Sequence, residues 1–541
     1  NIKYDSDNNP NFAIFKTNKQ SKNKLSLNNL ILLGTHINLT KKEVNLKWEI
    51  QEGFLDFKEK NVIINAKLFS KKLIVNTRDY IHKKQMILLT VLEIKKDSIL
   101  IQKGSIVHIE NLKTELSGEI IMGKIIDLDF SCEDQELTNI IQNTPEHLKS
   151  IYSSFQANGI VNCNGNIKGL VSKVSNPYLD MECSIEKGSF NLKSRPFILE
   201  GISLKSKITN GEERSFHNTR IEISDFNSKT KNGFLKGDFS IQNLNNYYLT
   251  ANFSSIWDLA EINHYFEDSP FFNLQGKVNA NTQYLGNISF DSKFTNYFLK
   301  ANHISKTSFK EVSFIYKNIP LDFNFNSIEC VFKNNQIEVK NSAFTIADSD
   351  IDFTGDITNL IGYILKKEDT IDITGKLKAT YIKFDELLSL KDTLEEQGEG
   401  TMPKWIYADV NTNIKTFSYD DFIASDITGQ FNYNNQSLTG ENIRLSSLNG
   451  NIAGNFKFYE SKNNKLTLFS QLNLKKLNIR NTFLAFNNFN QDFITAKHIK
   501  GIGSAEIQMQ ASWKTGFIFE KDKLSVKSHL VIEKGELIQF K

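Results

Sequence analysis

Proline, cysteine, tryptophan and methionine are all scarce in this 541-residue chain, at 7, 4, 4 and 5 residues. So few prolines leave long extended segments uninterrupted, because proline removes a donor from a β-ladder. The four cysteines, Cys132, Cys163, Cys183 and Cys330, form no C-x-x-C pair and show no metal-ligand spacing, which excludes the usual zinc signatures and a dense disulfide framework. No run of about 18 apolar residues occurs, so the chain as given carries no transmembrane helix and no signal peptide. It begins at Asn1 rather than Met, and the expectation is a fragment or a processed chain. An excess of one charge is missing too. Lys and Arg number 65 against 62 Asp and Glu, a net +3, so no global field recruits nucleic acid. The basic block 71–84 has two readings, contact with anionic lipid headgroups or a solvated strand face.

Motifs for chemistry are absent as well. Nine histidines are scattered singly, and there is no H-E-x-x-H, G-x-S-x-G, P-loop or G-x-G-x-x-G; the glycine pair in QGEGTM (397–402) is too short to cradle phosphate. Asp350, Asp352 and Asp356 sit at even spacings on one wet strand face, where they solvate an outer surface rather than gather calcium. No catalytic residue, cofactor or metal is expected.

What the chain has is alternation. With 40% hydrophobic residues and 41 phenylalanines, it has the material to bury a large apolar area and the residue types that favour strands. From about residue 43 onward apolar and polar residues alternate with period two between short turns rich in Asn, Gly and Lys, the pattern of antiparallel strands. Seven segments share the form apolar-x-Gly-x-apolar: LSGEI (116–120), LKGDF (235–239), LQGKV (274–278), FTGDI (353–357), ITGKL (373–377), ITGQF (427–431) and IAGNF (452–456). In each, the glycine (Gly118, Gly237, Gly276, Gly355, Gly375, Gly429 or Gly454) falls on the apolar face. Glycine inside a strand costs stability, so its repeated placement implies a face that bends sharply or must leave room.

Helical periodicity is confined to short stretches at 135–153, 256–266, 384–394 and 478–489, with Pro145 expected in the first turn of a helix capped by Thr144. The acidic segment 395–403 reads as a loop. Cys163 and Cys183 flank a turn-like SKVSNP (172–177) that would fold their strands back on each other; a disulfide and a pair of buried thiols both fit.

The fold class expected is mainly β, a long curled antiparallel sheet with a few short amphipathic helices. About 30–35 strands at ~4.8 Å would span roughly 150 Å. So few helices cannot cover one dry face of that length, which leaves a second sheet or a ligand as its filler. Acyl chains suit an apolar trough, at about 0.8 kcal/mol per buried methylene. The groove is expected to be lined by Leu235, Phe239, Leu274, Val278, Phe353, Ile357, Ile373, Leu377, Ile427, Phe431, Ile452 and Phe456, which share parity around the glycines.

The stretches GIVNCNGNIKGLVSKVSNPYLDMECSIEKGSFNLK (159–193), LKGDFSIQNLNNYYLTANFSSIWDLAEI (235–262), FSYDDFIASDITGQFNYNNQSLTGENIRLSSLNGNIAGNFKF (417–458) and LSVKSHLVIEKGELIQF (524–540) resemble AsmA-family envelope proteins of the Bacteroidetes type. The resemblance covers residues 156–541 well and 1–155 more loosely, and it divides the chain there into an N-terminal β-groove segment and an AsmA-like region. It implies a periplasmic, inner-membrane-anchored, non-enzymatic protein that binds phospholipid or another acyl lipid. It also implies lipid traffic between inner and outer membranes and a role with outer-membrane assembly proteins. The family's anchor is absent from this chain, and the family usually continues past Lys541. Two rival readings stay open: an adhesive or structural β-sandwich with a sealed core, and a scaffold that presents strand edges to assembling outer-membrane proteins.

Overall fold

The computed structural model describes residues 2–3, 27–41, 44–75, 78–121, 125–145, 155–172, 175–193, 198–263, 269, 271–289, 294–316, 319–365, 369–387, 402–461, 465–514 and 518–538. The chain is mainly β, and its α-helices among the described residues are four to seven residues long. Two compact units divide it, Asn1–Ser255 with Tyr284–Phe294, and Ile256–Gln283 with Thr295–Lys541. Residue 155, where the resemblance changes strength, lies inside the first unit, and the strands Ile125–Glu136 and Phe155–Leu170 on either side of 137–154 pair with each other.

The first unit is an antiparallel meander. From Asn29–Lys41 to Phe234–Gln242 each strand pairs with the next in sequence. Its core gathers Ile50, Leu68 and Met86 with the half-buried Leu32, Trp48, Leu88 and Val107 on one face.

The second unit repeats the arrangement from Asn302–Tyr316 to Ser525–Leu537, with one departure from antiparallel order. Ile371–Lys383 and Ile406–Tyr419 pair in parallel. A parallel pair needs a long return connection, and the chain between Lys383 and Ile406 supplies it. The alternation expected in 349–358 is present: Ile351 and Phe353 are buried while Asp352 and Thr354 are exposed. Asp350 does more than meet water, because its carboxylate accepts the backbone N–H groups of Thr380 (3.0 Å) and Tyr381 (2.5 Å) on the next strand.

Helices form at Leu137–Asn143, Leu259–Asn263, Phe384–Leu387 and Ile479–Ala485, inside the four stretches where periodicity placed them. Two more, Phe294–Lys300 and Leu360–Ile364, were not expected. Thr144 terminates the Leu137–Asn143 helix, its N–H donating to Ile141 O and its Oγ1 to Ile140 O. A helix starting at Pro145, and the loop 395–403 up to residue 401, lie outside the described residues.

Candidate functional site

The strand register turns the alternating sequence into rows of side chains that cross the sheet on one face, because directly opposed residues project to the same side. In the second unit one row runs Cys330, Val339, Gly355, Gly375, Val410, Phe431, Gly440, Phe456, Ser470 and Met509, each opposite the next. Ten strands make nine spacings of ~4.8 Å, so the row runs roughly 43 Å, its apolar side chains interrupted by three glycines and Ser470. A parallel row passes from Ile337 through Ile357, Ile373, Tyr433 and Phe458 to Leu468.

Most of the expected lining residues meet on these rows and their neighbours. Phe353 stands opposite Leu377 and Ile357 opposite Ile373. Ile427 stands opposite Ile414, and Ile452 lies between Leu445 and Leu474. Leu274 and Val278 pack with Leu259 and Val312. Leu235 and Phe239 belong to the first unit, where the Phe239 ring meets Phe226 edge-on and stacks on Phe253 at centroid distances of 5.3 and 6.0 Å. The twelve are therefore distributed over two units. Val278, Phe353 and Ile427 are buried, and the other nine are half-buried.

The seven pattern glycines occupy places that a side chain could not. A methyl group built on any of them would fall under 3.0 Å from the neighbouring strand. At Gly118, Gly237, Gly355, Gly375 and Gly454 the obstacle is a backbone carbonyl of that strand; at Gly276 it is the backbone of Val312 and Glu311. Gly118 and Gly276 also take φ of 127° and 112°, which a side chain at these positions would strain. Gly429 differs, since the space beside it is taken by the Ile443 side chain. The glycines thus permit a close approach of neighbouring strands that a side chain would block.

A second device escaped sequence reading. Asp134, Asp225, Asn442 and Lys476 adopt φ of 50°, 54°, 54° and 58°, each at a β-bulge where the register skips. Their N–H groups donate to side chains of the following strand: Asn162 Oδ1 at 2.8 Å, Asp238 Oδ1 at 3.2 Å, Asn455 Oδ1 at 2.8 Å and Ser504 Oγ at 3.1 Å. Ile223 faces Phe239 while Phe226 faces Gly237, so two residues, Ser224 and Asp225, stand against one, Asp238, and both apolar side chains stay on the same face. The residues after Gly237, Gly454 and Gly503 are the acceptors, so part of the glycine pattern marks the strand opposite a bulge.

A run of half-buried rings was also missed. Phe314 stacks on Phe323 (5.1 Å) and Phe325 (5.8 Å), and Phe325 on Phe344 (4.8 Å). The alternation in LDFNFN (321–326) carried that signal.

Few large side chains are sealed. Among the described side chains the largest almost fully sealed ones are Leu68 and Leu466, with Ala424 and several serines sealed to a similar degree. Two shallow recesses are lined mainly by polar side chains of the parity opposite the rows: one of about 600 Å³ by Glu115, Ser117, Asp129, Asn166 and Lys207 in the first unit, and one of about 660 Å³ by Thr439, Asn455, Lys457, Gln471 and Gln508 in the second.

Little here suits acid–base or metal chemistry. Among the described residues no cluster of three or more His, Cys, Asp or Glu is placed to hold a metal ion. The one buried histidine among them, His303, stacks on Phe298 at 4.8 Å, and burial lowers its pKa. Ion pairs such as Lys168 with Asp127 and Lys205 with Asp225 lie in the open, where each contributes little. No helix among the described residues is long and apolar enough to cross a membrane. Cys163 does lie directly opposite Cys183, as the fold-back required, and on its other side it faces Cys132; all four cysteines are thiols. No protein-family model matches the chain, and no curated protein matches it.

Proposed function

We propose that this chain is a non-enzymatic envelope protein of AsmA-like type that holds phospholipid or another acyl lipid against its apolar rows. In this reading it works in the periplasm, tethered to the inner membrane by a segment outside the chain, and supports lipid movement between the membranes and outer-membrane protein assembly.

One observation carries the reading: six of the lining residues, Ile357, Ile373, Leu377, Phe431, Ile452 and Phe456, are only half-buried although they stand on the apolar rows of the second unit or beside them. A sandwich with a sealed core would bury such phenylalanines and isoleucines fully. Acyl chains laid along the rows would take this surface from water at about 0.8 kcal/mol per methylene, with no need for a specific polar partner. The polar opposite face, with its scattered ion pairs, stays wet.

The test is lipid analysis of the purified protein by mass spectrometry, followed by Phe431→Asp and Phe456→Asp. Co-purifying phospholipid that both variants lose while keeping a native β circular-dichroism spectrum supports the reading. Absence of lipid from the parent protein, with variants that only unfold, sinks it.

A further inference from the structure

Three of the four cysteines stand in one line across three consecutive strands, Cys132 on Ile125–Glu136, Cys163 on Phe155–Leu170 and Cys183 on Tyr178–Leu192. The line continues through Ser206 and Ile223 to Phe239, so the thiols share a face with the apolar surface of the first unit. Cys132 Sγ and Cys163 Sγ are 2.7 Å apart, within the distance of ordinary sulfur contact. Directly opposed residues of an antiparallel pair have Cα atoms about 4.5 or 5.5 Å apart, and both values lie inside the span a disulfide bridges. Cys132 and Cys183 are two strands apart, roughly 9.6 Å, too far for a bond and too linear for three thiolates to surround a metal ion.

We propose that Cys132, Cys163 and Cys183 form a disulfide-exchange row in which Cys163 bonds to either neighbour but never to both. Oxidation needs a partner of the disulfide class. Attack of the Cys183 thiolate on that partner's disulfide gives a mixed disulfide and releases one partner thiolate. Cys163 then attacks Cys183 Sγ, releases the second partner thiolate and closes Cys163–Cys183. Two electrons pass to the partner, which becomes a dithiol carrying the two protons the cysteines give up. Exchange within the row follows: Cys132 gives up its proton and attacks Cys163 Sγ, the Cys163–Cys183 bond breaks, Cys132–Cys163 closes, and Cys183 leaves as the thiolate that takes the proton Cys132 lost.

The two forms are not equivalent. Hydrogen bonding to Cys163 favours the Cys183 thiolate, whereas Cys132 is pushed the other way by its contact with Cys163 and by burial. The form that leaves Cys183 as the open thiol is thus the resting one, and Cys183 is where a further disulfide-class or alkylating reagent attaches. This inference stands apart from lipid binding and holds whether or not the rows carry acyl chains.

The test treats the native full chain with oxidised glutathione, then unfolds it in the presence of iodoacetamide so that every open thiol is blocked, and maps peptides without reduction. Alkylation is expected at two of the four cysteines, Cys330 and mainly Cys183, with a Cys132–Cys163 linked peptide. Cys183→Ser should keep that link, Cys132→Ser should move it to Cys163–Cys183, and Cys163→Ser should abolish both. Full alkylation of all four thiols after oxidation, or a Cys132–Cys183 link in the parent chain, overturns the proposal without reliance on any variant folding.

Discussion

The rings of Phe431 and Phe456 meet edge to face with centroids 6.0 Å apart although a whole strand lies between theirs. The residue opposite both of them on that strand is Gly440. A side chain there would collide with the Phe456 ring, to which a built methyl group comes under 3.0 Å. Gly440→Val should cost about 1–3 kcal/mol by overpacking, read as a lower urea midpoint. Gly440→Val with Phe456→Leu should recover part of it if the loss comes from crowding rather than from backbone strain.

Phe353 and Phe456 separate stability from occupancy. Phe353 is 8% exposed and packs among Ile337, Val339 and Leu360, so Phe353→Ala should cost about 3–5 kcal/mol. Phe456 is half-buried, and Phe456→Ala should cost visibly less in the same denaturation series. Equal losses would mean that Phe456 is sealed in solution.

The bulges make a paired prediction. Asn455→Ala removes the acceptor of the Asn442 N–H and should destabilise by about 1 kcal/mol. Asn442→Gly should be neutral or mildly stabilising, because φ of 54° suits glycine. Asn442→Val should be the most damaging of the three. Unfolding midpoints in that order support a strained bulge held by its cross-strand acceptor.

Acid sensitivity has a specific contributor at Asp350. Burial works against its carboxylate, yet N–H donation from Tyr381 and Thr380 outweighs it and holds the pKa below the usual carboxylate value. A pKa lower in the folded state means that the contribution is complete at neutral pH and is lost as pH falls from the unfolded value, about 4, through the folded one. Asp350→Asn should therefore be less stable than the parent at pH 7, with the two curves converging as the pH falls through the folded-state pKa.

Oxidation should be visible in stability as well. A Cys132–Cys163 bond closes a loop of about 30 residues, worth roughly 3–4 kcal/mol in the chain-entropy model. The oxidised chain should unfold at higher temperature than the reduced chain, and Cys163→Ser should erase the difference.

Strand content and the role of the glycines were legible because both are local. Alternation in SDIDFTGDIT and the glycine of each apolar-x-Gly-x-apolar segment reflect one strand and its immediate neighbour. The bulges at Asp225 and Asn442 were not legible, since polar residues with positive φ look like ordinary surface positions and acquire meaning only beside Asp238 and Asn455. Cys132 was missed for a related reason. Its pairing with Cys163 spans residues 137–154, and the bulge at Asp134 resets parity between them. The parallel pair of Ile371–Lys383 and Ile406–Tyr419 likewise depends on where a long connection returns, which periodicity does not encode. How the twelve apolar residues divide between two units lay beyond any reading of parity.

The neighbour-to-neighbour register has a kinetic consequence. Within each unit nearly every strand needs only the strand synthesised just before it, so loop-closure entropy is met in short instalments instead of one large one. Such a sheet can lengthen from whichever hairpin forms first, with stability accumulating from adjacent interfaces much as in repeat proteins. A partly emerged chain would already hold its finished strands in place, exposing one growing edge at a time rather than a whole unfolded domain.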